Sequence, residues 1–369
     1  MCFSRQLPAG MLAATAQQCR SNAMQPYSGT DIMKAIGFNR PLPIAEAESL
    51  IDIDVPKPLP REHDLLVRVH AISVNPVDVK LRAGVTPPAG SPRILGFDAA
   101  GTVEAVGGAV TRFRPGDAVF YAGAIDRPGS NAEFQLVDAR IAGPKPESLS
   151  FAQAAALPLT SLTAWELLFD RLRVPYGRMA TEDALLVING AGGVGSILTQ
   201  MARRLTGLTV IATASRPETI AWARDMGAHH VIDHRKPLDE ELKAIGIPQV
   251  RYVAGLTATD RHAKAIVEAL APQGALAIID DPGSFDIVPF KRKSLSVHWE
   301  LMFTRSLFST PDMSEQGRVL SEVSALVDRG VLRTTLHEDL GPITAANLKK
   351  GHALLEAGTG IGKTVLSGF

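Results

Sequence analysis

Two rhythms of apolar residues divide the chain. From Met33 to about residue 145 the pattern is short alternation broken by proline and glycine. The stretches "LLVRVHAISV" (65–74), "GTVEAVG" (101–107), "DAVFYAG" (117–123) and "AEFQLV" (132–137) predict strands of a β-rich domain. Pro115-Gly116 in "FRPGDAV" is the corner of a turn between two of them. "PKPESLSF" (144–151) reads as a connector, with Ser148 or Ser150 placed to cap a helix at "FAQAAAL".

The second rhythm is slower. Predicted strands at 184–188, 208–213, 230–233, 250–254 and 274–279 alternate with predicted helices at 194–206, 217–226, 238–244 and 260–270. Such alternation predicts a parallel sheet covered on both faces. In the first of these helices Val194, Ile197, Leu198, Met201 and Leu205 share one face, and Gly207 ends it. "SLSVHWEL" (294–301) alternates strictly and predicts a further strand at the sheet edge, where unpaired backbone invites a second subunit. One helix near 313–329 and a closing strand in "GKTVLSGF" complete the pattern.

Composition narrows the function classes. Lys+Arg and Asp+Glu both total 38, so the zero formal charge gives no pull toward nucleic acid or an acidic membrane surface. No apolar run reaches the roughly 20 residues of a membrane helix. The two cysteines, Cys2 and Cys19, both precede the folded body, which therefore has no thiol for a disulfide or a metal-thiolate site. Residues 1–32 are set aside as an N-terminal extension. Their first thirty positions lack Asp and Glu, which suits an organelle leader, a disordered tail or a mis-called start before Met33, and "SNAM" (21–24) resembles a cloning scar. A disordered tail and a cytoplasmic setting are the expectation.

The chemistry begins at "LLVINGAGGVGS" (185–196). Gly190, Gly192 and Gly195 fit G-x-G-x-x-G after a predicted strand, with Gly193 and Val194 opening the helix that follows. That arrangement gives a tight turn, close approach of backbone to a pyrophosphate, and helix N–H groups aimed at it. An NAD site places Asp or Glu at the end of the next strand, on the ribose 2′-hydroxyl. Here "VIATASRPE" offers Ser215 and Arg216, a hydroxyl and a guanidinium suited to a 2′-phosphate. The expected cofactor is NADPH, and His234 is a further candidate for the adenosine phosphate.

With the β-rich N-terminal half, "AGGVGS" and "LGFDAAGTVEAVG" in one chain, the sequence resembles the medium-chain dehydrogenase/reductase superfamily. It looks closest to the zinc-free quinone oxidoreductase branch, often labelled zinc-type alcohol dehydrogenase-like. The resemblance runs from Met33 to Phe369. It implies an α/β fold: a GroES-like catalytic domain from residues 33–158, completed by 302–369, and a doubly wound Rossmann domain from 159–301. An active site in the cleft and a homodimer formed through the Rossmann edge are also implied. In zinc-dependent members a Cys, a His and a later Cys or Asp hold the metal; their positions here fall to Asn75, Phe97 and Leu159. Phe and Leu cannot ligate zinc, so no metal site is expected.

Without a Lewis acid the hydride needs an acceptor that is already electron-poor, a quinone or an α,β-unsaturated carbonyl. An enoyl-thioester reductase, supported by the basic run "FKRKSL" (290–295), and a non-catalytic NADPH-binding sensor are the alternatives. Asn75 is the first candidate donor to the substrate oxygen, though Asn before Pro76 is also a common turn start. Lys80 offers a proton or a surface charge, Tyr121 a donor hydroxyl or a core ring, and Asp98 an acceptor for backbone amides. Thr160 and Thr163 either touch the nicotinamide or cap a helix. "HHVIDH" (229–234) surrounds a predicted strand and is not expected to bind metal. "AGTGIGKT" (357–364) mimics a P-loop but has Ala357 at the first glycine and no room for the required helix.

Overall fold

The N-terminal alternation becomes antiparallel sheet. The computed structural model describes residues 31–369, and the expected extension lies outside them except for its last two residues, of which Ile32 opens a strand. Strands β1 (Ile32–Phe38), β2 (Ile51–Pro56) and β3 (Asp64–Ser73) lead to helix α1 (Pro76–Gly84). Strands β4 (Arg93–Ile94), β5 (Ala99–Val106), β6 (Ala118–Tyr121), β7 (Phe134–Asp138) and β8 (Gly143–Pro144) follow. Two helices, α2 (Phe151–Ala155) and α3 (Pro158–Trp165), close this segment. Ser150 caps α2, its side chain accepting from the Gln153 N–H while the Gln153 side chain accepts from the Ser150 N–H.

The slower rhythm becomes one parallel sheet. Its elements are β9 (Ala184–Ile188), α4 (Gly193–Leu205), β10 (Thr209–Thr213), α5 (Pro217–Asp225), β11 (His230–Ile232), α6 (Leu238–Ala244), β12 (Val250–Gly255), α7 (Thr259–Ala269), β13 (Leu270–Ile278) and β14 (Ser296–Trp299). The strand order is β11-β10-β9-β12-β13-β14, with every pairing parallel. All five residues of β9 are buried, as expected for a strand with helices on both faces. Order reverses on either side of β9, and an open parallel sheet binds ligands outside the carboxyl ends of its strands at such a point.

The chain then returns through α8 (Thr304–Leu307), α9 (Glu315–Asp328), β15 (Leu336–Asp339), α10 (Ala345–Ala357) and β16 (Lys363–Ser367). Strand β16 pairs antiparallel with β3, setting Val365 opposite Ser73, and extends a seven-stranded sheet. The described residues thus divide into two units, those up to Leu159 with Phe303–Phe369, and Thr160–Met302. Among the described residues no helix is long and apolar enough to cross a membrane.

Candidate active site

In the parallel unit, the turn from β9 into α4 is built for close approach. Asn189 takes a left-handed backbone (φ 66°), and its N–H donates to Thr213 Oγ1 at 2.9 Å. A Cβ at Gly190 would stand 2.5 Å from that of Ala212, and one at Gly195 would stand 2.8 Å from the Gly190 backbone and closer still to the Asn189 carbonyl oxygen. Both glycines are therefore packing requirements between strand and helix. Gly192, Gly193 and Val194 are only partly buried, and Gly193 and Val194 start α4, whose first N–H groups have no intrahelical acceptor. These are the features that a pyrophosphate needs.

Ser215 and Arg216 follow β10, both partly exposed. His234 lies two residues beyond β11, and the pairing of Thr213 with Ile232 brings the ends of these strands side by side. Burial holds the half-buried His234 below its ordinary pKa, and its ring lies 6.5 Å from that of His262, edge to face. One group was not anticipated. Arg216 Nε lies 3.2 Å from Glu218 Oε1, so a carboxylate two residues on competes for the guanidinium. Arg235 is committed to Asp233, whose carboxyl it holds down at about 2. Lys293 of the basic run is also committed, its ammonium donating to the carbonyls of Val267, Glu268 and Leu270 at the end of α7.

In the other unit one predicted donor, Asn75, lies with Asp98 in a buried polar network. Asn75 starts α1, with Pro76 next and the Asp78 carboxylate accepting the Asn75 N–H at 2.9 Å. Asp78 also accepts from the Gly96 N–H at 3.0 Å, yet its burial pushes it up to about 7. The Asn75 amide nitrogen donates to Asp98 Oδ2 at 2.8 Å, and its oxygen accepts from the Lys363 ammonium. Lys363 also donates to the Val74 carbonyl at 2.8 Å and lies 3.0 Å from Asp98 Oδ2. The Ser73 hydroxyl and the Leu159 N–H complete the bonds to Asp98, at 2.8 and 2.7 Å.

This corrects the expected role of Asn75. Its side chain is wholly buried and both ends of its amide are engaged, so it is a network member rather than a donor open to substrate. Tyr121 is equally enclosed; among the described residues its hydroxyl has no hydrogen-bond partner, and burial pushes its pKa upward, as suits a core ring. Lys80 on α1 is partly exposed. Thr160 and Thr163 are buried in α3. Sequence reading missed Lys363, which lay inside the discounted "AGTGIGKT"; its one signal was a charged residue opening the closing strand.

The zinc site implied by the superfamily does not fit these residues. Phe97 packs edge-on against Phe303 at 5.4 Å, Leu159 offers only its backbone, and Asn75 and Asp98 already bind an ammonium. No three His, Cys, Asp or Glu side chains converge as a metal would require among the described residues.

Comparison with known proteins agrees with the architecture. The alcohol dehydrogenase GroES-like domain matches residues 61–157 and the zinc-binding dehydrogenase domain matches 193–317. A zinc-type alcohol dehydrogenase-like protein of Staphylococcus aureus (strain MSSA476) is 42% identical over 337 residues, covering 91% of this chain and 100% of the relative. A Rhizobium etli CFN 42 crystal structure, named provisionally as a zinc-dependent alcohol dehydrogenase, is 59% identical with a TM-score of 0.89, covering 92% of this chain and 99% of that one. The Escherichia coli quinone oxidoreductase in complex with NADPH is 26% identical with a TM-score of 0.75, covering 90% and 99%. Two domains of this kind, one GroES-like and one for a nicotinamide coenzyme, define an oxidoreductase. The chain belongs to the medium-chain dehydrogenase/reductase superfamily, among the zinc-type alcohol dehydrogenase-like proteins.

Proposed function

We propose that this protein is an NADPH-dependent, zinc-independent reductase of quinones or α,β-unsaturated carbonyl compounds. The observation that carries the reading is the commitment of Asn75 and Asp98 to Lys363, with apolar Phe97 and Leu159 at the other implied ligand positions. Such a donor set favours an acceptor that needs no Lewis acid. Support for the coenzyme comes from Ser215 and Arg216 after β10, and from the NADPH held by the Escherichia coli quinone oxidoreductase. The glycine turn and the first N–H groups of α4 would hold the pyrophosphate, and Arg216 the 2′-phosphate. Bound NADPH supplies a hydride. One proton would then be needed, on the hydroquinone oxygen or on the α-carbon of the enolate, and Lys80 Nζ, the candidate group with solvent access, is the proposed source.

The test is oxidation of NADPH with benzoquinone, naphthoquinone, a simple enone and an enoyl-CoA, before and after chelation. Turnover with a quinone or the enone, indifferent to chelator and without stoichiometric zinc, is expected. Zinc at one per chain with activity lost on chelation overturns the reading. Turnover confined to the enoyl-CoA would favour a thioester reductase, whose basic run already spends Lys293 on α7. Tight NADPH binding without turnover would favour a sensor.

A homodimer through β14 belongs to the same proposal. Among the described residues that strand is one of the two edges of the parallel sheet, and Trp299 on it is 58% exposed. Trp299→Glu is expected to convert a dimer to a monomer in light scattering; a wild-type monomer, or an unaltered mass in the variant, refutes it.

A further inference from the structure

The cation at the centre of the buried network comes from the last strand of the sheet, and no part of the reaction described above uses it. Lys363 is 3% exposed and its ammonium has three oxygen partners: the Val74 carbonyl, Asn75 Oδ1 and Asp98 Oδ2. Those three match its three N–H donors. Asp98 in turn is 1% exposed, and its other oxygen accepts the Leu159 N–H. Leu159 is the second residue of α3, where N–H groups lack intrahelical acceptors. A carboxylate there holds the helix start by charge as well as by hydrogen bond. The chain of contacts runs from Lys363 through Asp98 to the first turn of the helix that carries Thr160 and Thr163.

We infer that Lys363 is a resident cation in an oxygen-lined cage and a positioning residue for the coenzyme, fixing the first turn of α3 through Asp98. A buried carboxylate without this ammonium faces only Ser73, Asn75 and the Leu159 N–H, with the second carboxylate of Asp78 nearby. It then either takes up a proton or shifts toward water, and in both cases loosens its hold on Leu159. The link from α3 to coenzyme rests on the reading of Thr160 and Thr163 as nicotinamide contacts; the cage does not.

The experiment is a charge cycle read by melting temperature and by coenzyme affinity, neither of which needs a substrate. Lys363→Met alone leaves Asp98 buried without its counter-charge, and a Tm at least about 5 °C below wild type is expected, or no folded protein at all. Asp98→Asn combined with Lys363→Met removes both charges and recovers most of that loss. In the folded double variant a Kd for NADPH raised about fivefold or more is expected, because the neutral amide holds the Leu159 N–H less firmly. Propylammonium supplies the atoms that Lys363→Ala deletes, and should restore the affinity of that variant. A double variant no more stable than Lys363→Met refutes the resident cation. Recovered Tm with wild-type Kd refutes the positioning role. If the wild type binds NADH in preference, the coenzyme assignment fails separately, and the same comparison is made with NADH.

Discussion

Exchange of Arg216 for glutamate is expected to raise the KM for NADPH about 100-fold while that for NADH stays within about threefold. A hydrogen-bonded charge pair contributes roughly 1.5–3 kcal/mol, and a carboxylate at the same place adds repulsion of the 2′-phosphate. The guanidinium also sits 3.2 Å from Glu218, a partner that a phosphate would have to displace or share. Glu218→Gln should therefore lower the KM for NADPH a few-fold, since an exposed pair of this kind contributes about 0–1 kcal/mol. Steady-state kinetics with both coenzymes decides the matter. Equal losses for NADPH and NADH in Arg216→Glu would remove this residue from the phosphate site.

Gly195→Ala should abolish coenzyme binding at concentrations that saturate the wild type. The new methyl group meets backbone on two sides, the Asn189 carbonyl and Gly190, neither of which can rotate away as a side chain end can. The β9 turn and α4 must separate, at a cost of roughly 1–3 kcal/mol from overpacking alone, and the N–H groups aimed at the pyrophosphate move with them. Gly192→Ala is the informative companion. Its Cβ would approach only the side chain of exposed Asn189, so a milder fall in stability is expected there. Fluorescence titration with NADPH and a thermal melt of each variant measure both effects. Wild-type affinity in Gly195→Ala would mean that the turn does not carry the coenzyme.

What the sequence disclosed follows the range of the forces involved. The β9–α4 turn, the ends of β10 and β11 and the alternating strands are set by neighbours a few positions apart, and they were readable. Strand edges shifted by a residue or several; the predicted 274–279 begins at Leu270, because pairing with Val250 extends it. Strands β1 and β2 escaped notice; β2 alternates exposed and partly exposed residues, with Ile51, Ile53 and Val55 never fully buried. Helix α10 was hidden in "AANLKKGHALLEA", whose Gly351 reads as a breaker but lies against Val74 with its Cβ position 3.1 Å from a methyl group.

Polar chemistry was the least legible. Asn75 drew attention as a donor to substrate, yet the partners that engage its amide, Asp98 and Lys363, lie 23 and 288 positions away. Nothing local distinguishes a lysine bound for the interior from one bound for solvent. Only the register of β16 on β3 delivers it, and register is a property of the whole sheet.

The parallel unit is one uninterrupted stretch of chain, whereas its neighbour is sewn from two ends. Strand β16, which the second half of the polypeptide adds to β3, must travel back past some 290 intervening positions. During synthesis the segment Thr160–Met302 can therefore acquire its structure while the Ala71–Ser73 end of β3 stays open on one side and Asp98 lacks its counter-ion, until residues 363–367 clear the ribosome. For the first-made half of this protein, birth order and folding order run in opposite directions.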